Sequence, residues 1–92
     1  MEFEWDEDKR RSVLIERNVD LREAALIFEG PVITELDGRH DYGELRWISL
    51  GLVDGKAFVV VHTERRDGVI RLITAWQGGR SGKRRYQASF AS

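Results

Sequence analysis

The spacing of apolar residues changes once along the chain, near Gly30-Pro31, and this change constrains the fold more than any other feature of the sequence. Before it, one apolar stripe recurs at helical spacing: Leu21, Ala24, Ala25, Phe28. Asp20 and Glu23 have the spacing of a capping box. The pattern therefore predicts a helix that begins after Asp20 and ends before Gly30-Pro31.

After Pro31 the pattern is that of short strands joined by turns. Strands are predicted over residues 32–36, 45–53, 57–61 and 69–76, and Asp-Gly pairs at 37–38, 54–55 and 67–68 predict turns. The β-branched run at 57–61 predicts a central strand that is buried on both faces. Residues 39–42 are predicted to form a polar loop, the glycine-rich segment 78–82 a flexible connector, and residues 83–90 a short terminal helix.

The N-terminal segment adds two elements and completes the predicted fold class. Residues 3–5 alternate as a strand does, and a short helix is predicted over residues 9–17 with Asp6 as its N-cap. The order β-α-α-β-β-β-β-α is that of an α+β fold. We expect N-terminal helices packed on a four- or five-stranded, mainly antiparallel sheet, with a short C-terminal helix. Helices on one face leave the other face free for a partner or a substrate.

Length and composition exclude several classes of protein. A chain of 92 residues is too short for two cores, so residues 1–92 are predicted to be a single domain. The chain has no cysteine, which excludes a disulfide scaffold and thiolate metal sites. No apolar run reaches the length of a membrane span, and the acidic N-terminus is unlike a secretory signal. A soluble cytoplasmic protein is therefore expected, with no membrane association.

The near-neutral net charge of −1 conceals a polarised chain. Residues 1–64 carry 8 basic and 15 acidic residues, whereas residues 65–92 carry 7 basic residues and 1 acidic residue. The basic segment is either a phosphate-binding surface or the pairing partner of the acidic segment within the fold. Charge alone favours neither reading.

Arginine is the residue type that best supports a chemical function in this sequence. The two histidines stand far apart, and neither a metal-ligand spacing nor a nucleophile motif is present, so no metal or cofactor is expected. Arg46 and Arg71 alternate with apolar residues in predicted strands. Because an unpaired arginine is costly to bury, they either pair with Glu44 or Glu64 or line an anionic site.

An arginine-lined site of this kind suits RNA. Guanidinium groups bind phosphodiesters in bidentate fashion and stabilise the negative charge that develops on them. Tyr86 and Trp76 are candidate stacking platforms for bases. His62, on the predicted central strand, is a proton-transfer group or, more often for a lone strand histidine, a packing residue. Trp47 and Trp76 are likewise either interface or core residues.

Six segments, in order over residues 3–86, resemble the BrnT family of toxins. They are Phe3-Glu4-Trp5-Asp6 with Lys9; Val19 with Glu23-Ala24-Ala25, Phe28 and Pro31; Tyr42-Gly43-Glu44 with Arg46; Val59-Val60-Val61-His62-Thr63-Glu64-Arg65; Arg71-Leu72-Ile73-Thr74-Ala75; and Arg84-Arg85-Tyr86. The segments keep the family's order and spacing over nearly the whole chain.

The resemblance implies a fold, an activity and a partner. It implies a RelE-like α+β fold and an endoribonuclease of a type II toxin–antitoxin system that cleaves RNA and inhibits translation and growth. Cleavage needs no metal, since the RNA 2′-OH attacks its own phosphodiester. The implied partner is a BrnA-like ribbon-helix-helix antitoxin in a dimer of heterodimers, through which operator DNA is bound only indirectly.

The resemblance and the basic sheet half together suggest two sets of residues. The catalytic set is Arg65, Arg71, His62, Glu44 and Tyr86, and the RNA-binding set is Arg46, Lys83, Arg84 and Arg85. Arg65 and Arg71 are expected to clamp the scissile phosphate and stabilise its transition-state charge. Arg46 is expected to position the neighbouring phosphate. The general base is expected to be His62 or Glu44.

Both sets include residues of the C-terminal segment. Lys83, Arg84 and Arg85 would bind the RNA backbone, and Tyr86 would stack on a base or donate a proton. Arg71→Ala is then expected to abolish growth arrest without unfolding the protein.

Two segments depart from the family pattern and leave other functions open. Glu16-Arg17-Asn18 stands where the family commonly has Lys-His-Gly, and Trp76-Gln77-Gly78 where it has Arg-Lys-Ala. Gly82 replaces a glutamate before the terminal basic run. The alternatives are a catalytically weak or inactive protein that binds an antitoxin and takes part in autoregulation, or an RNA-binding module.

Overall fold

The structure, a computed structural model, describes residues 1–90. In chain order its strands and α-helices are β1 Phe3–Glu4, α1 Glu7–Arg17, α2 Leu21–Ala24, β2 Ile33–Leu36, β3 Trp47–Val53, β4 Lys56–Glu64, β5 Ile70–Gln77 and α3 Gly79–Phe90. Two 3₁₀ segments, Ala25–Glu29 and Arg66–Gly68, follow α2 and β4. The predicted α+β class and the predicted order of elements are confirmed.

The five strands form one mixed sheet in the order β1-β5-β4-β3-β2. β1 runs parallel to β5, and every other neighbouring pair is antiparallel. β4 is the central strand, as its β-branched run predicts, and a bulge at Val61/His62 shifts its register with β5. The β3–β4 hairpin turns at Asp54 and Gly55, whose φ values of 49° and 79° are those of a primed turn.

The two faces of the sheet have different coverings. α2 and the first 3₁₀ segment pack on one face, which we call the helix face, and α1 lies along β5 with Val13 in the same core. This core also includes Leu21, Ala24, Ile27, Phe58, Val60, Leu72 and Ala75. Because side chains alternate along β4, Thr63 lies on the opposite face together with Val61 and Val59. Arg71, Thr74 and Trp76 of β5 pair with these three residues and lie on the same opposite face, since the bulge leaves Ile73 between them without a partner on β4. We call this second face the arginine face.

Two aspartates begin the N-terminal helices by accepting hydrogen bonds from backbone N–H groups. Asp6 Oδ1 accepts from the backbone of Asp8 at 2.9 Å, as predicted, and Asp20 Oδ1 accepts from Arg22 N at 2.9 Å. The second helix is shorter than predicted, since its last turn tightens into the 3₁₀ segment. That segment presses Ile27 against β3 at a position where only glycine fits, because a Cβ on Gly51 would lie 2.6 Å from the Ile27 Cβ.

The prediction of a flexible connector over residues 78–82 is wrong, since α3 already begins at Gly79. Gly82 N donates to the Gly78 carbonyl at 3.1 Å, and the helix lies against β3 and β4. A Cβ on Gly78 would lie 3.0 Å from the Ala57 Cβ, so the glycine there permits close packing. α3 therefore covers the end of the arginine face near the β3–β4 hairpin.

In the part of the chain that the structure describes, no helix is both long enough and apolar enough to span a membrane.

Candidate functional site

A row of polar side chains crosses the arginine face at the end that α3 leaves uncovered. The register places Glu4 of β1 beside Arg71 of β5, and Arg71 beside Thr63 of β4. Thr63 Oγ1 donates to the Leu45 carbonyl at 2.6 Å, which ties the segment before β3 to the same row. Arg46 follows in that segment, and its carbonyl accepts a hydrogen bond from Asp37 N at 2.8 Å. The β1–β5 pairing, the β5–β4 pairing and the bond from Thr63 to Leu45 thus bring Arg46 and Arg71 to one surface.

One carboxylate oxygen orders two of the arginines. Glu4 Oε1 lies 3.0 Å from Arg65 Nε and 3.5 Å from Arg71 Nη1. The parallel pairing of β1 with β5 places Glu4 there. Both contacts are ion pairs without hydrogen-bond geometry, since Glu4 Oε1 is buried and accepts no hydrogen bond from residues 1–90. One carboxylate thus lies beside two guanidinium groups and leaves one of their two positive charges unneutralised.

A cleft of about 220 Å³ joins Arg46 to Arg71. Its other charged lining residues are Asp6, Lys9 and Glu44. The Asp6 carboxylate is occupied at the start of α1, where it accepts from two backbone N–H groups. Glu44 is the exposed carboxylate of this cleft. Lys9, also exposed, contributes an ammonium group to it.

The neighbours of Arg46 hold its guanidinium group in place but leave one of its N–H donors without a hydrogen-bond partner. Its guanidinium carbon lies 3.9 Å from the centre of the Tyr42 ring, and its Nε lies 4.0 Å from Glu44 Oε2. The Nε is buried and has no hydrogen-bond partner in residues 1–90. A buried donor without a partner is costly, and an anionic oxygen in the cleft would satisfy it.

His62 lies on the helix face, away from the arginines of the row. Its Nε2 lies 2.7 Å from Ser49 Oγ, which in turn lies 2.7 Å from Thr34 Oγ1. The imidazole packs edge-on against the Phe28 ring at 5.1 Å and is 8% exposed. Burial lowers the pKa of His62 to about 4, so the ring is neutral at pH 7. The partly buried Trp47 lies beside it in a groove of about 390 Å³ on the helix face.

The four C-terminal candidates lie on α3 and do not reach the cleft of Arg46 and Arg71. The Tyr86 hydroxyl donates to the Pro31 carbonyl at 2.7 Å. Arg85 Nη2 lies 3.7 Å from Glu35 Oε1, and Arg84 is exposed. Lys83 lines a cleft at the β3–β4 hairpin together with Lys56 and Arg80. The structure thus separates these residues from the reaction candidates by most of the sheet.

A second cleft on the arginine face, of about 350 Å³, is lined by Arg17, Arg39, Thr74 and Trp76. The guanidinium carbons of Arg17 and Arg39 lie 5.3 Å and 5.7 Å from the centre of the Trp76 ring. Arg39 also forms a two-bond ion pair with Asp37, at 2.8 Å and 2.9 Å. Hydrogen bonds from Arg39 hold the pKa of Asp37 down at about 2.

Sequence reasoning missed Glu4, Lys9, Arg17 and Arg39 as site residues. No local spacing could have found them, because each reaches the arginine face through a tertiary contact: the β1–β5 pairing, the packing of α1 along β5, or the folding of the β2–β3 loop. The available signals were that Glu4 and Lys9 stand in a segment that carries the family resemblance, and that Arg17 stands in a segment that departs from it.

The described residues contain no group of three or more histidine, cysteine, aspartate or glutamate side chains that is placed to hold a metal ion. In the row itself, Glu4 and Glu44 each lie beside a guanidinium group.

Comparison with known proteins identifies a matching protein family and a solved structure with a similar fold. A family model described as "Ribonuclease toxin, BrnT, of type II toxin-antitoxin system" matches residues 5–80, a range that includes Lys9, Glu44, Arg46 and Arg71. No curated protein matches the chain. Among solved structures, the crystal structure of the Brucella abortus ribonuclease toxin BrnT superposes with a TM-score of 0.65 and 16% identity, covering 87% of this chain and 99% of that chain. At this identity the likeness shows the fold.

Proposed function

Because the chain belongs to the BrnT family of ribonuclease toxins of type II toxin–antitoxin systems, we propose that residues 1–92 act as one domain that cleaves RNA without a metal ion and so arrests growth. The observation that carries the proposal is the row on the arginine face. It gathers Arg46, Arg65 and Arg71, a buried unpaired donor on Arg46 and an exposed carboxylate at Glu44.

In the proposed reaction the RNA itself supplies the nucleophile. Glu44 takes the proton of a 2′-OH, and the 2′ oxygen attacks the adjacent phosphorus. Arg46 and Arg71 bind the non-bridging oxygens as negative charge develops on them. The bond from phosphorus to the 5′ oxygen breaks, and that oxygen takes a proton from Lys9. The products carry a 2′,3′-cyclic phosphate and a free 5′-OH. Arg65 and Arg46 exchange the roles expected from the sequence: Arg46 lines the cleft with Arg71, whereas Arg65 lies outside it and holds a neighbouring phosphate.

The other predicted residues take secondary places in this proposal. His62 is buried on the opposite face, so we assign it to packing and choose Glu44 as the base. Tyr86 already donates its hydroxyl to the backbone, so we assign it to the seating of α3. Lys83, Arg84 and Arg85 extend the positive surface on which a longer RNA would lie.

Membership of a type II toxin–antitoxin family implies that an antitoxin is the protein's partner. We propose that this antitoxin is BrnA-like, with a ribbon-helix-helix part that binds operator DNA, and that two toxins and two antitoxins assemble together. The segments that resemble the family support this assignment. Cleavage of messenger RNA would take place in the cytoplasm.

A second candidate function is a catalytically weak toxin that serves chiefly as an antitoxin-binding partner. One observation favours it: Arg17 and Trp76 contact each other at positions where the family commonly has histidine and arginine. The second cleft therefore differs chemically from that of related toxins.

Induced expression of the chain alone in a bacterium tests the proposal. We expect growth arrest and discrete new RNA 5′ ends from the wild-type chain, and neither effect from Arg71→Gln, since a group that stabilises the transition state is lost. Arg11→Gln is the matched control, because Arg11 is an exposed arginine on α1 outside the row.

Two results would count against the proposal. Full toxicity of Arg71→Gln would show that the row is not the site of RNA cleavage. Normal growth with soluble wild-type protein and intact RNA would favour the second candidate.

A further inference from the structure

The second cleft on the arginine face, which we now call the Trp76 cleft, contains the groups that bind a single nucleotide. It brings together an indole ring, two guanidinium groups and a hydroxyl, contributed by Trp76, Arg17, Arg39 and Thr74. Its volume of about 350 Å³ is that of a small-ligand site. Aromatic rings and guanidinium planes are the surfaces on which unpaired bases stack, and guanidinium groups also bind phosphates.

The two arginine side chains of this cleft differ in how firmly other residues hold them. Arg39 is anchored by two hydrogen bonds to the buried carboxylate of Asp37. Arg17 is exposed at the last position of α1 and has no ion pair or side-chain hydrogen bond with any of residues 1–90. Its guanidinium carbon lies 5.3 Å from the centre of the Trp76 ring. A base can therefore displace Arg17 from the indole and leave its guanidinium free for a phosphate, while Arg39 stays in place.

The cleft lies on the same face as the proposed reaction site, farther along the same strand. Arg71 and Trp76 are both on β5, and their side chains emerge on the arginine face. Their partners on β4, Thr63 and Val59, are four residues apart, so at a rise of about 3.3 Å per residue the two positions are separated by roughly 13 Å. A single strand of RNA that is bound at Arg71 can follow β5 and reach Trp76 within a few nucleotides.

We propose that Trp76, Arg17 and Arg39 form a subsite for one unpaired nucleotide of the RNA substrate, a few positions from the cleaved bond, with the base stacked on Trp76 and a phosphate on Arg17. This inference rests on the proposed ribonuclease function. The subsite selects and orients the substrate and takes no part in the bond-breaking step.

Binding of a short fluorescent 2′-O-methyl RNA, which lacks the nucleophile, tests the subsite by anisotropy over a series of salt concentrations. Trp76→Ala is expected to weaken binding about tenfold without changing the salt dependence, because stacking is lost and no charge is removed. Arg17→Gln is expected to reduce the slope of log Kd against log salt by about 0.7, the value for one phosphate contact to a single strand. Trp76→Phe keeps a smaller ring and is expected to fall in between.

The controls separate the subsite from the fold and from the ribonuclease proposal. Arg11→Gln removes the same charge from the same helix and should behave as the wild-type protein does. Circular dichroism and thermal melting check that Trp76→Ala is folded, and Trp76→Phe gives a second variant if it is not. Cleavage of unmodified RNA by the wild-type protein, and its loss in Arg71→Gln, report on the proposed function independently.

The subsite is wrong if Trp76→Ala binds within twofold of wild type and Arg17→Gln keeps the wild-type slope, even though wild-type protein cleaves RNA. A free mononucleotide that binds as tightly as the oligonucleotide, in a manner that depends on Trp76, would also overturn it in favour of a free-nucleotide site. If wild-type protein neither binds nor cleaves RNA, both the subsite and the proposed function fail.

Discussion

The side chains to which we assign the chemistry lie on or beside the strands, and the partners that they meet could not be predicted from the sequence. An arginine in mid-strand was expected to pair with Glu44 or Glu64 or to line an anionic site. Arg71 instead pairs with Glu4, which reaches it because β1 joins the sheet parallel to β5. Arg46 has Glu44 nearby and still keeps an unpaired buried Nε. Alternation along a strand predicts which face a side chain takes, but not what meets it there.

His62 is either a packing residue or a proton-transfer group, and the variant His62→Gln distinguishes the two. Burial lowers the pKa of His62 from its ordinary 6.5 to about 4, so the unfolded chain binds a proton more readily than the folded one. The stability associated with neutral His62 is therefore present above pH 6.5 and is lost as the pH falls toward 4. His62→Gln should flatten this part of the acid destabilisation, as measured by urea unfolding at a series of pH values.

RNA cleavage by the same variant distinguishes packing from proton transfer. A folded His62→Gln protein that cleaves RNA at the wild-type rate agrees with burial on the helix face. A folded variant with an unchanged acid slope and no cleavage would return His62 to the reaction.

At the scale of elements, the features that depend on neighbours in sequence were predictable, and those that depend on packing were not. Asp54 and Gly55 turn the β3–β4 hairpin because both residues take positive φ, a property of the local sequence. The glycine-rich segment 78–82, most of which forms the first turn of α3, was expected to be a connector, since glycine weakens helices. The need for close approach of α3 to Ala57 overrides that preference.

Gly51 and Gly82 should respond to alanine in opposite directions. A Cβ on Gly51 would lie 2.6 Å from the Ile27 Cβ, so Gly51→Ala must displace the 3₁₀ segment and should cost about 1–3 kcal/mol. A Cβ on Gly82 would lie at an ordinary 3.6 Å from Ala57 and Leu50. Because glycine is unfavourable within a helix, Gly82→Ala should gain about 0.5 kcal/mol.

Chemical denaturation of the two variants beside wild type measures both effects. A neutral Gly51→Ala would contradict the tight contact between the 3₁₀ segment and β3. A destabilised Gly82→Ala would show that α3 approaches the sheet more closely than these distances indicate.

At the scale of the whole molecule, part of the basic segment pairs with the acidic one, as in Glu4 with Arg65 and Glu35 with Arg85. Arg65 and Arg71 share a single carboxylate, so together with Arg46 they keep positive charge in the row on the arginine face, where we propose that phosphate binds. The fold class was predictable because the hydrophobic periods are strong, whereas the site was predictable only in part, because it is assembled from distant segments of the chain.

The central claim is that this face cleaves RNA through the substrate's own 2′-OH. The most direct measurement uses purified protein in EDTA with a DNA oligonucleotide that contains one ribonucleotide at the mapped cleavage site, beside the same strand with 2′-O-methyl at that position. We predict cleavage of the ribose strand alone, with a 2′,3′-cyclic phosphate and a 5′-OH at the new ends, and no cleavage by Arg71→Gln. Cleavage of the 2′-O-methyl strand, or a requirement for a divalent metal, would contradict the account.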